Sequence, residues 1–509
     1  MSFDIIEIPS GKIGLVEAQK GGNPAFSGRF GRVVECQNFQ DEIAFINNGG
    51  QRGKQLSFLI AGTYHINPEY FYVEIVDEIC INEDQIGIVT AKYGRQRPLG
   101  QQFGNFVECN NFQDAQAFIE NDGQQGKQLV ILTSNTYSIN TWIFEVEIRP
   151  VTKIPLGEIG LVIANDGQVM PNHRRLGRSV KCKDFEDAQA FIDNGGECGP
   201  QLAILRDGKK YQINTELFTV ITSANPEKAR LKPEQLKYYK VERDSIGIVR
   251  TTEGTTDLSR MFGPRIEGHD NFQSPQKFID VGGYKGLQEE VLLEAEYSLN
   301  PWFVTVEQVP FVEIPPHCIG ILLNVFPERI GHELENNAIT IKPPGKHPIN
   351  TAIQKVYIVP TNTIQVRWWE ISRNTPLDYP PLIIRTNEES KEYLLNLILK
   401  FTIQKDYTYD STYEFIKAVA GNLNELRVVS HEYLISTFVE GNLEDIVIDI
   451  YRCEISRHNH EELKTNEIQD RIKQQAKSKI IEWCKHYYIN IEENKEPMSF
   501  FFSRDREEM

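Results

Sequence analysis

The chain has 509 residues, 40% of them hydrophobic, and a formal net charge of −17 from 54 Lys and Arg against 71 Asp and Glu. That length can bury several cores, while an acidic balance without a basic cluster argues against a nucleic-acid groove, which needs concentrated Lys and Arg. No stretch of about 18 apolar residues occurs, and no basic segment followed by an apolar run opens the chain, so the expected location is cytoplasmic.

From the N-terminus onward, Ile13-Gly14, Ile86-Gly87, Ile159-Gly160, Ile246-Gly247 and Ile319-Gly320 each open a copy of one unit, at spacings of 73, 73, 87 and 73 residues. A fixed period of this kind marks tandem modules, which suit stacking or lateral assembly better than a single cleft. The units are placed at 1–80, 81–153, 154–240, 241–313 and, shortened, 314–360. Within repeat 1, Asn38-Phe39-Gln40-Asp41 leads through Phe45-Ile46 and Gly49-Gly50 to Thr63-Tyr64-His65-Ile66-Asn67. The same run returns from Asn111 to Asn140, from Asp184 to Asn214 and from Asn271 to Asn300.

Asn or Asp followed by Asp three residues later predicts a helix N-cap at Asn38 and Asn111 with a first-turn carboxylate at Asp41 and Asp114. About three turns of amphipathic helix should follow, closed by Gly50, Gly123, Gly196 and Gly283 at positive φ. Around the helix, segments such as Gln85–Val89, Gln128–Leu132 and Ile143–Ile148 are short, β-branched or alternating, as strands require. Repeat 5 omits the helix region, so the β frame should close without it. Repeat 3 carries extra charged residues at about 225–240, which read as a surface insertion or spacer.

Cys36, Cys109 and Cys182 share one repeat position, filled by His269 in repeat 4. A repeated metal or redox site and a buried structural role are the two readings, and separation into different modules favours the structural one. Gly49-Gly50-Gln51-Arg52-Gly53-Lys54-Gln55 lacks the spacing and the Ser or Thr of a phosphate loop, so a turn into a strand is expected. His458-Asn459-His460-Glu461-Glu462 has no third metal ligand at recognisable spacing and reads as a helix start. No catalytic motif is found, and no catalytic, cofactor-binding or metal-ligating residue is assigned.

Beyond about Thr361 the period stops. Leu382–Thr386 and Tyr393–Gln404, joined by Asn387–Ser390, form a predicted hairpin whose second strand places Leu395, Leu397, Leu399, Phe401 and Ile403 on one face. Helices are predicted over Thr412–Ala420 and Leu423–Phe438, and over the stripe Ile468, Ile472, Ala476, Ile480 and Cys484, before a strand at Tyr487–Glu492. Trp368 and Trp369, at the junction, and Phe500, Phe501 and Phe502, in the 496–509 tail, are candidate interface residues. One Trp should face the core and its neighbour the other way.

The hairpin, the segment Glu432–Phe438 and the long helix running into His486–Ile491 resemble the SPFH or Band 7 domain of stomatins, prohibitins and flotillins, over about residues 361–495. In that family the final helix runs into a Tyr-Gly-Ile-x-Ile-like strand; Tyr488 stands at the Gly here. Tandem β modules ahead of such a domain are similar in architecture to the major vault proteins, whose repeats build the wall of a hollow particle. The expected fold is therefore α+β multidomain: small, mostly β modules with an inserted helix, followed by an α/β SPFH-like domain. The resemblance implies a non-enzymatic scaffold that assembles with itself into a large ring, cage or shell, with protein partners or cargo and without nucleic acid. A flotillin-like scaffold in peripheral contact with a membrane is the alternative, and an unrecognised hydrolase between modules is a third.

Overall fold

The computed structural model describes residues 4–26, 28–257, 260–324, 340–369, 377–385, 392–403, 415–416, 419, 426–491 and, as backbone, 501–503. In repeat 1, Lys12–Ala18 lies between Gly53–Leu59 and Phe71–Asp77 in an antiparallel sheet, and a second small sheet pairs Asp4–Ile8 with Gly62–Ile66. The same three-strand group recurs around Gln85–Ala91, Ile159–Ala164, Ser245–Thr251 and Cys318–Asn324. In repeats 1 to 4 the register slips at one matching place, between Leu15 and Glu17, Ile88 and Thr90, Leu161 and Ile163, and Ile248 and Arg250. A bulge there bends the middle strand.

The Ile-Gly pair that marks each unit follows from how these two sheets pack. A methyl group on Gly14, Gly87 or Gly160 would stand 2.6, 2.7 or 2.5 Å from the Cδ1 of Ile8, Ile81 or Ile154. The small sheet lays an aliphatic side chain directly on the glycine, so any Cβ would push the sheets apart.

Each of repeats 1 to 4 contains one helix, but it begins later and is shorter than the spacing predicts. These are α1 (Glu42–Asn47), α2 (Ala115–Glu120), α3 (Ala188–Asp193) and α4 (Pro275–Asp280), of six residues each. Asp41, Asp114 and Asp187 are the N-caps, accepting from the backbone N–H of Ala44, Ala117 and Ala190 at 2.8, 2.9 and 2.9 Å. Asn38 and Asn111 instead lie in a left-handed turn: Gln37, Asn38 and Phe39 have φ of 49°, 55° and 61°, and Asn110, Asn111 and Phe112 repeat this with 50°, 51° and 67°.

Left-handed backbone costs a non-glycine residue about 1–2 kcal/mol, and of Gln37, Asn38 and Phe39 only the central Asn is tolerant of it. The turn is held because it buries the Phe ring. Phe112 meets Phe144 edge-on at 5.3 Å, and Phe118 meets Phe144 at 4.9 Å. The C-terminal glycine shifts too: positive φ falls on Gly49, Asp122, Gly195 and Gly282. The following Gly50, Gly123, Gly196 and Gly283 are needed for space, since a Cβ there would fall against the ring of Phe45, Phe118, Phe191 or Phe278.

The insertion in repeat 3 forms two 3₁₀ turns, Pro226–Ala229 and Pro233–Leu236. Leu236 is fully buried against Ile159, Leu161 and Ile221, so the segment covers the repeat 3 sheet instead of standing off it.

In the C-terminal region the long strand Glu392–Ile403 pairs with Ile364–Trp368, Leu382–Arg385, Ile489–Ile491 and Phe501–Ser503. Helices α5 (His431–Phe438), α6 (Glu444–Ile455), α7 (His460–Leu463) and α8 (Asn466–Lys485) accompany it, with a π turn at Val439–Leu443 between the first two. The buried stripe Ile472, Ala476, Ile480 and Cys484 of α8 shares a core with Leu395, Leu397, Leu399 and Phe401. That core also takes Ile321, Tyr357 and Val359 from repeat 5, and Val428–Val429 runs parallel to Gln354–Pro360. Part of the predicted helix at Leu423–Phe438 is thus strand. The predicted turn Asn387–Ser390 and most of Thr412–Ala420 lie outside the described residues.

Candidate functional site

The recurring feature of this molecule is the joint between successive repeats, and one asparagine closes each joint. Asn140 Nδ2 donates to the carbonyls of Gln55 and Leu56 at 3.0 and 3.1 Å. Asn214 does the same to Gln128 and Leu129 (3.1 and 2.8 Å), Asn300 to Gln201 and Leu202 (3.1 and 3.0 Å), and Asn350 to Gln288 and Glu289 (3.0 and 3.3 Å). Meanwhile Oδ1 of Asn140, Asn214, Asn300 and Asn350 accepts from the backbone N–H two residues on. Two donors and an acceptor on one short side chain are what an amide supplies and a carboxylate does not. In repeat 1, Asn67 Nδ2 donates to Glu42 Oε1 at 3.1 Å, a side chain of its own repeat.

Apolar contacts follow the same path. Phe30 and Leu56 belong to the core of repeat 2, Phe103 and Leu129 to that of repeat 3, and Leu176 and Leu202 to that of repeat 4. Ile119, Ile192 and Ile279, on the helices, pack into these shared cores. In repeat 1 the matching helix face is open, with Ile43 60% and Ile46 42% exposed. Gln116 and Gln276 add bonds from helix to preceding repeat, accepting from Val33 N and Ser179 N at 2.9 Å each.

Charge adds to the joint between repeats 2 and 3. Glu216 faces Lys127 and lies 2.6 Å from Arg149 Nη2, while Arg149 Nη1 donates to Thr215 at 2.7 Å. Lys127 first, then Arg149, holds the Glu216 carboxyl below the usual range against partial burial. Between the same two repeats, one side opens a cavity of about 310 Å³ bordered by Val130, Thr133, Glu186 and Gln212.

The side chains singled out by the sequence have structural places here. Cys36, Cys109 and Cys182 are buried in separate modules, and burial pushes each thiol up, with the N–H of Phe39, Phe112 or Phe185 acting the other way. His269 is equally buried, and its Nδ1 accepts from Phe272 N at 2.9 Å. Cys and His alike thus turn a soft or nitrogen acceptor toward the left-handed turn. Among the described residues no group of three or more His, Cys, Asp or Glu is placed to hold a metal.

In the Gly-Lys-Gln loop, the buried Gln55 Nε2 donates to the Gln51 and Gly53 carbonyls at 2.8 and 2.7 Å, and Gln128, Gln201 and Gln288 repeat the arrangement. This is a side-chain-stapled turn. Asn459 caps α7 through a capping box with Glu462.

Trp368 is fully buried and stacks on Tyr379 at 6.0 Å, whereas Trp369 is half-buried and its backbone N–H donates to Tyr379 O at 2.9 Å. Burial pushes the Glu444 carboxyl above the usual carboxylate range, opposed by the Trp368 indole and reinforced by Asp445 and Glu440. Phe501 and Phe502 lie in a strand paired with Glu392–Ile403 of the same chain, and Phe500 lies outside the described residues. No helix among the described residues is long and apolar enough to cross a membrane.

No family model matches the chain, and no curated protein matches it. Sequence reasoning found the Tyr-x-Ile-Asn motif but not its role. Its recurrence was the available signal, since a buried Asn repeated at fixed period needs a fixed hydrogen-bond partner.

Proposed function

We propose that this protein is a non-enzymatic structural scaffold that assembles with itself into a large ring, cage or vault-like shell. The observation that carries this reading is the asparagine joint, repeated from repeat 1 to repeat 5. A chain whose modules are coupled by the same buried contacts behaves as one continuous array and presents similar surfaces at regular intervals.

Lateral association has matching edges to use. Phe71–Asp77, Phe144–Pro150 and Val304–Pro310 are terminal strands of their sheets. The first two expose Ile75 (41%) and Ile148 (43%). In repeat 5 the corresponding strand, Gln354–Pro360, is paired by Val428–Val429. An SPFH-like reading of the C-terminal region is supported by α8 running into Ile489–Ile491, and by Tyr488 at φ 58° where that family carries glycine.

Negative-stain electron microscopy with native mass measurement of the full chain tests the proposal. Closed rings or barrels without lipid are expected. A monodisperse monomer at high concentration overturns it, and assembly that forms only on liposomes replaces it with the peripheral membrane scaffold.

A further inference from the structure

Consecutive joints contain the same groove with different rims. Between repeats 2 and 3 it measures about 370 Å³ and has a neutral to acidic border of Gln101, Asn105, Asp166 and Gln168 over Phe103 and Ile192. Between repeats 3 and 4 it measures about 260 Å³, and Arg174, Arg178, Glu253 and Thr255 stand at the matching places over Leu176 and Ile279, with His173 and Lys285 added.

The charges in the second groove do not cancel. Glu197 pairs with Arg174 and also accepts from Arg178 N at 3.0 Å, and Glu253 is buried, accepting from Arg175 N at 2.7 Å. Arg178 and Lys285 are exposed, and neither side chain has a carboxylate partner among the described residues. In a chain of net charge −17 this leaves a local cationic rim beside Ile279, the apolar lining residue that keeps part of its surface open, since Leu176 and Leu202 are buried in the core of repeat 4.

We propose that the groove between repeats 3 and 4 is a docking site for an acidic peptide segment with an aliphatic side chain between carboxylates. The aliphatic group covers the open part of Ile279, and the flanking carboxylates meet Arg178 and Lys285. Charge complementarity selects the partner, because the rim of the neighbouring groove, with Asp166 and no cation, offers a carboxylate nothing comparable. Free phosphate would satisfy the cations and leave Ile279 uncovered. This inference stands whether or not the chain assembles.

The test is fluorescence anisotropy of the full chain with a labelled Glu-Glu-Leu-Glu-Glu peptide. Saturable binding is expected, weakening with added salt, and about tenfold weaker in the Arg178→Gln, Lys285→Gln double variant, whose exposed sites leave the fold intact by circular dichroism. Asn105→Ala, in the other groove, should bind as the parent does. No saturable binding overturns the proposal, as does binding unchanged in the double variant. Equal binding of the peptide with Ser for Leu, or displacement by single-stranded RNA at lower concentration than by unlabelled peptide, also overturns it.

Discussion

The array and the C-terminal region solve the same problem, burying apolar surface, at different ranges along the chain. In repeats 2 to 4 each core is small and is completed by two buried apolar residues from the repeat before it. The C-terminal core is one large cluster drawn from positions as far apart as Ile321 and Ile491. Stability in the first case is a sum of module and nearest-neighbour terms, and in the second it is pooled. Damage should therefore stay local in the array and spread through the C-terminal region.

The largest contrast is expected from Trp368→Ala. Removing a fully buried Trp costs about 3–5 kcal/mol. Hydrogen exchange should show lost protection through Glu392–Ile403, α5, α6, α8 and repeat 5, with repeats 1 to 3 unchanged. Uniform loss along the chain would abolish the distinction between the two regions.

Next in size is the pair Asn214→Ala and Asn67→Ala. The first strips two buried carbonyls of a donor across a joint and should cost about 2–3 kcal/mol, whereas the second removes only bonds within repeat 1, to Glu42 and from Glu69 N, and should cost about 1 kcal/mol. Urea unfolding of both variants measures the difference, and equal costs would mean that the asparagine serves its own repeat and not the joint.

The smallest effect is one of sign. Glu216 is held below the ordinary carboxylate range, so its stabilisation of the joint between repeats 2 and 3 is complete above that range. It is lost as pH falls through the lowered value. Glu444 is raised by burial, so it destabilises the C-terminal region at neutral pH, and acidification through its raised value relieves the penalty. Glu216→Gln should accordingly lower the melting temperature at pH 7, and Glu444→Gln should raise it, each by about 2–4 °C per kcal/mol. Both differences should shrink toward pH 3, and a Glu444→Gln variant that is less stable at pH 7 would show that the carboxylate is well solvated.

Much of the array was readable because every signal in it occurs several times. Gly14, Phe45 and Asn67 stand out against their copies, and local steric needs explain the first two. The helix start was misplaced because the left-handed turn at Gln37–Phe39 runs against the preference of Gln37 and Phe39, and the Phe39, Phe45 and Phe71 cluster compensates. In the C-terminal region the alternation of Leu395 to Ile403 and the stripe of α8 were visible, being periodic. The parallel pairing of Val428–Val429 with repeat 5 was not, since two valines carry no register.

Periodicity in the chain thus determined the number of repeats, their β character, the presence of a helix in four of them and the apolar faces of the C-terminal elements, because each depends on spacings within a few turns or strands. Tertiary structure alone decided that Asn140, Asn214, Asn300 and Asn350 reach back to the repeat before, that Trp368 and not Trp369 is the core residue, and that the groove between repeats 3 and 4 gathers cations. Those outcomes depend on which distant backbone carbonyl or side chain arrives within about 3 Å, and hydrogen bonds and packing are decided at that distance.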